Sequence, residues 1–123
     1  MANELSLSGL TVVFAKTGSP SVSFTAGTVT VTVSGTQIMD NVQSVGTSEE
    51  AILLGDVATG GYWLVQNLDT TNYVEIRSGT GATDLLRLNA GEIALFRTSS
   101  DSSAPFAIAN TGAVNVRFLM FDA

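Results

Sequence analysis

Glu75 and Glu92 are the two carboxylates best placed for acid–base chemistry, one inside the run YVEIR and one opening EIALFR. A carboxylate pair can hydrolyse glycosidic bonds when one member donates a proton and the other attacks or activates water. Glu75, however, shares a strand face with Tyr73 and Arg77, where pairing of charges across strands is the ordinary use. One Trp and two Tyr are also a thin lining for a sugar cleft. A Ser–Lys dyad would need Lys16, the only lysine, which reads better as a charge keeping an N-terminal strand edge soluble. Asp40-Asn41, Asp69 with Asn72, and Asp101 fall in predicted loops. They lack the dense alternating spacing of a calcium loop and read as turn-capping residues. Gly79-Thr80-Gly81 has the look of a phosphate loop, but no lysine or helix follows, so it reads as a hairpin turn. With no His and no Cys, imidazole and thiolate chemistry is excluded, along with their metal sites. The expectation is a chain that is not an enzyme, with no cofactor and no metal.

Composition agrees with a binding surface more than with a catalyst. The 123 residues are 45% hydrophobic and 13% charged, about half the usual charged share. Hydroxyls fill the gap, with 15 Thr and 13 Ser beside 12 Gly. Eleven acids against five bases give a net charge of −6. Nucleic acid needs a basic footprint, and Lys16, Arg77, Arg87, Arg97 and Arg117 do not make one. The arginines fall in or beside predicted strands, where salt bridges within or between subunits are their expected use. No apolar run approaches the roughly 20 residues of a membrane span. The opening MANELSLSGL carries an acid where a secretory signal would carry a base, so it reads as mature, soluble, non-secreted protein.

The elements that position these residues are strands. Alternation at period two runs through Leu10, Val12 and Phe14, resumes at Val22 and Phe24 after the Gly18-Ser19-Pro20 turn, and is cleanest over Thr28–Ser34. There Val29, Val31 and Val33 are expected inside, with Thr28, Thr30 and Thr32 facing solvent or a neighbouring subunit. Gln37–Gly46 alternates weakly and is expected to be a loop, with a short strand at Glu50–Leu54. Tyr62–Asn67 and Tyr73–Arg77 are strands separated by a turn at 68–72. Leu85–Leu88 and Glu92–Arg97 read as a hairpin around Asn89-Ala90-Gly91. Pro105–Ala109 and Ala113–Phe121 complete the set. About nine or ten short strands at this spacing predict an all-β, single-domain antiparallel β-sandwich of jelly-roll type over residues 1–123, with 1–17 as an N-terminal arm or edge strand. The expected core is Trp63, Val65, Val74, Ile76, Leu86, Leu88, Ile93, Leu95 and Ile108.

The stretch from Gly60 to Asp122 resembles a group of small virion proteins of tailed phages. The matching residues are Asn67, Asp69, Asn72, Tyr73, Val74 and Glu75. They continue through Leu86, Leu88, Ala90, Gly91 and Glu92 in an L-x-L-x-A-G-E run, and through Ala109, Asn110 and Thr111 before an apolar last strand. The resemblance covers half the chain closely and the N-terminal half more loosely. It implies a structural role, best stated as a capsid decoration (cement) protein that binds the outside of the head and clamps neighbouring capsomers. The implied partners are the major capsid protein and identical copies, a trimer before a dimer, with no nucleic acid and no membrane. The implied location is the capsid surface of the virion, after synthesis in the host cytoplasm.

Two sets of residues follow as candidate sites. On the last strand, Val114, Val116, Phe118 and Met120 alternate onto one face, and Asn115, Arg117, Leu119 and Phe121 onto the other. The second face carries too much apolar area for a free surface, so Arg117, Leu119 and Phe121 are expected to meet another chain, as are Thr28, Thr30 and Thr32. The alternative is a head-fibre, tail or baseplate domain that binds glycans for host attachment, stacking sugars on Tyr62 and Tyr73. Trp63 is expected in the core beside Val65.

Overall fold

The computed structural model describes residues 5–33, 37–55, 57, 60–99 and 105–122, and among them every regular element is a strand. The chain divides into two compact units, Met1–Ser34 and Gly35–Ala123, where one domain was expected, and the division falls after residue 34 and not at 17. Among the described residues there are twelve strands, where nine or ten were expected.

The first unit is one long antiparallel ribbon. β1 (Leu5–Leu7) pairs with β4 (Val29–Val31), and β2 (Thr11–Phe14) pairs with β3 (Val22–Thr25). Leu5 lies opposite Val31, and Thr11 opposite Thr25, so one register runs through both pairs. The Ala26 amide donates to the Leu10 carbonyl at 3.0 Å between them and carries that register across the gap. Gly18, at φ 84°, makes the turn where the sequence placed it. Alternation puts Val12, Phe14, Val22 and Phe24 on one face, and all four are exposed. Val29 is exposed too, so the valines of the Thr28–Ser34 segment do not form a buried row. A two-stranded ribbon has no second layer to bury them.

The second unit is an eight-stranded antiparallel sandwich. It comprises β5 (Ile38–Val45), β6 (Glu50–Ala51), β7 (Gly60–Asn67), β8 (Val74–Arg77), β9 (Asp84–Leu88), β10 (Ile93–Arg97), β11 (Phe106–Ala109) and β12 (Val114–Asp122). One sheet has the order β10-β7-β12-β5 and the other β6-β11-β8-β9. Numbered within the unit, these orders are 6-3-8-1 and 2-7-4-5, the double Greek key of a jelly roll. Buried side chains of both sheets form a single core, with Val45, Trp63, Val65, Val116, Phe118 and Met120 from one and Val74, Ile76, Leu88, Ala107 and Ala109 from the other.

Three expectations change on this frame. The segment expected to be a loop is β5, and Asp40-Asn41 lies in that strand. Its pattern is blurred because Gln43 occupies a core position. Gln43 is buried, donating to Glu50 Oε1 (2.9 Å) and the Ala51 carbonyl (3.1 Å) and accepting from the Leu53 amide (3.0 Å). Second, β9 and β10 are not a hairpin: they sit in different sheets, and the turn at Asn89–Glu92, with Gly91 at φ 80°, carries the chain across. Third, Ile93 and Leu95 face out. Phe96 takes the inward position and stacks on Trp63 with centroids 6.0 Å apart, leaving the alternate residues to solvent. In β11 the small Ala107 and Ala109 face the core, and Ile108 is only half-buried on the outer face.

Candidate interaction face

The outer face of the β10-β7-β12-β5 sheet brings together four of the candidate residues, Tyr62, Arg117, Leu119 and Phe121. Its rows follow from register. One row runs Arg97, Tyr62, Phe121, Ile38; the next Leu95, Leu64, Leu119, Asp40; the third Ile93, Gln66, Arg117, Val42. Ile38, Val42, Ile93 and Leu95 are exposed, between 37% and 62%, while Tyr62, Leu64, Leu119 and Phe121 are half-buried by their neighbours. Apolar side chains so dominate these rows that the face has the make-up of an interface centre.

β12 makes the face and the core together. Val114, Val116, Phe118 and Met120 are buried to 1% or less, as alternation predicted, which forces Arg117, Leu119 and Phe121 outward. β12 is a central strand between β7 and β5, with the second sheet of the sandwich packed against its inward side.

Charge on the face is sparse and placed. Arg117 donates to Asp40 through Nη2 (2.8 Å) and Nε (3.0 Å), and that guanidinium holds the Asp40 carboxyl below the usual carboxylate range. Arg97, on the β10 edge, has no ion pair with any described residue.

The other sheet presents a different outer surface. Arg77 bridges Glu49 and Asp84, and Glu49 also accepts the Gly81 amide at 3.0 Å. The Arg77 guanidinium first, and the amide second, lower the Glu49 pKa. Arg87 lies over the Tyr73 ring, 3.6 Å from its centroid, and directly opposite Glu75. Ion pairs mark this surface, though Leu85 stands exposed on it; the first face is mostly apolar.

No protein-family model, curated protein or solved structure matches the chain. What the candidate residues do is therefore read from their geometry.

Tyr62 and Tyr73 are not brought together. Tyr62 stands on β7 beside Phe121, whereas Tyr73 precedes β8 in the other sheet with Arg87 against its ring. Thr28, Thr30 and Thr32 are exposed and belong to the N-terminal ribbon, whereas Arg117, Leu119 and Phe121 belong to the sandwich unit. Glu92 holds its own turn by accepting from Asn89, and Asp69 accepts the amides of Asn72 (2.6 Å) and Thr71 (3.0 Å), so both are turn residues. Asp101 lies outside the described residues. A cleft of about 280 Å³ between the ends of the sheets, lined by Ile76, Leu86, Phe96 and Arg97 among others, is at the small end of small-molecule sites.

The residues behind the family resemblance form a structural network. Asn67 is fully buried; its amide donates to the Asn72 and Leu88 carbonyls (2.9 and 3.0 Å) and its oxygen accepts from the Asp69 amide (2.8 Å). Asn110 accepts from the Tyr73 amide (3.1 Å), and Thr111 donates to Asn72 (2.8 Å). These side chains tie the crossing loops between the two sheets. What the sequence missed is the outward set on the two edge strands, Ile93 and Leu95 of β10 with Ile38 and Val42 of β5. Its only signal was that both alternating sets of β10 are apolar.

Proposed function

We propose that this chain is a virion structural protein of a tailed phage, a capsid decoration protein that binds the outside of the head and clamps neighbouring capsomers together with its own copies. The observation that carries the reading is the outward apolar face built on Leu119 and Phe121, set on a jelly roll whose other outer surface carries the Arg77–Glu49 and Arg77–Asp84 ion pairs. A cement protein needs such a surface and no reactive group. Many copies, each holding weakly, stabilise a shell through multivalency. The acidic chain supports a protein partner over nucleic acid. The experiment is to mix the chain with undecorated capsids assembled from the major capsid protein of the phage that carries its gene. The parent co-sediments with the capsids, and Phe121→Ser, by weakening the contact between copies on which multivalent clamping depends, lowers binding while the melting of the fold is followed in parallel. Equal binding by parent and variant would remove the face from the account.

A further inference from the structure

We infer that the outer face of the β10-β7-β12-β5 sheet is a two-fold interface between two copies of this chain. The inference rests on reading this face as an interface, and it names the occupant.

Charge selects the partner and the axis. Among the described residues of the face, the cation without an ion pair, Arg97, lies on one edge strand, β10, and the acid, Asp40, on the opposite edge strand, β5, paired with Arg117 yet exposed enough to take a second guanidinium. A two-fold axis parallel to the strands lays β10 of one copy over β5 of the other. Arg97 then lies one residue pair along from the partner copy's Asp40, within reach of a long side chain, and the contact occurs twice. A two-fold axis across the strands would stack β5 on β5 and bring the two Asp40 carboxylates toward each other. The first arrangement also sets Ile93 over Val42 and leaves Leu64 and Leu119 at the centre. Aligned packing of two sheets face to face is a standard arrangement, about 10 Å apart.

Size fits a reversible dimer. Four strands about 4.8 Å apart and four outward residues about 6.8 Å apart give a footprint of roughly 500 Å² per copy before side-chain relief, the low end for specific interfaces. The sequence favoured three copies on family grounds, whereas the distribution of charge on this face favours two.

Sedimentation of the full chain without capsids tests this. The expected result is a monomer–dimer equilibrium at tens of micromolar. Ile93→Lys and Val42→Lys, at exposed positions on opposite edges, should each weaken dimerisation about tenfold or more with folding intact, and Arg97→Glu should weaken it as well. The chain has no cysteine, so the axis can be tested separately. A short bis-maleimide should link an Ile93→Cys copy to a Val42→Cys copy in preference to linking two Ile93→Cys copies. A monomer at all concentrations, a trimer, or a dimer unaffected by these substitutions would overturn the inference. A dimer that behaves as expected but ignores capsids would uphold it and defeat the decoration reading alone.

Discussion

Arg117 and Asp40 form a two-pronged ion pair that runs diagonally between strands. In register Arg117 stands opposite Val42 and Asp40 opposite Leu119, so the guanidinium reaches across one residue pair to bind both carboxylate oxygens. It pairs a cation on the central strand β12 with an acid on the edge strand β5 of a mostly apolar face. It also sets a pH dependence.

Asp40, Glu49 and Asp69 all have pKa values lowered in the folded protein, by Arg117, by Arg77 and by the Asn72 amide respectively. A lowered carboxylate pKa stabilises the fold above the unfolded value, and that contribution is lost as pH falls through the folded value. Thermal melting should therefore be flat in this respect from pH 7 to pH 5 and should fall below about pH 4. A melting temperature that rises on acidification below pH 4 would contradict these pairings.

Ile76 is 2% exposed between the sheets, and Ile76→Ala should cost about 2–5 kcal/mol in urea unfolding. A loss well under 1 kcal/mol would mean that β8 turns its other face to the core.

Asn67 gives a sharper test because its role is polar. Asn67→Leu removes the partners of two carbonyls and one amide in the loop crossing, at about 1–3 kcal/mol for a buried group left unsatisfied. Hydrogen exchange at the Asp69 amide should accelerate with it. Unchanged stability and exchange would make the network incidental.

Thr30→Lys should leave both folding and melting unaltered, since Thr30 is exposed on the ribbon. If assembly on capsids is also unaltered, the threonine face belongs to solvent; if assembly weakens with folding intact, Thr30 lies at a contact.

How far the sequence could be read depends on how plainly each strand sorts its side chains. β12 alternates apolar with polar until Leu119, and its inward set was correct residue by residue. The jelly-roll class was also legible, because turn residues punctuate short strands along the whole chain. β10 was not, since Ile93, Ala94, Leu95 and Phe96 are apolar on both faces and only the Trp63–Phe96 stacking chooses between them. β5 was hidden by Gln43, whose burial depends on acceptors and a donor supplied by the segment after it. The face itself was half visible. Leu119 and Phe121 signalled it, but Ile38, Val42, Ile93 and Leu95 join it only through strand pairings distant in sequence.

Stoichiometry on the particle tests the central claim most directly. Undecorated capsids titrated with the parent chain should bind it saturably at a fixed, near-integral ratio to capsid subunits, and should then withstand heat or low salt better than bare capsids. No binding, or saturation at only a few copies per particle, would contradict a decoration protein.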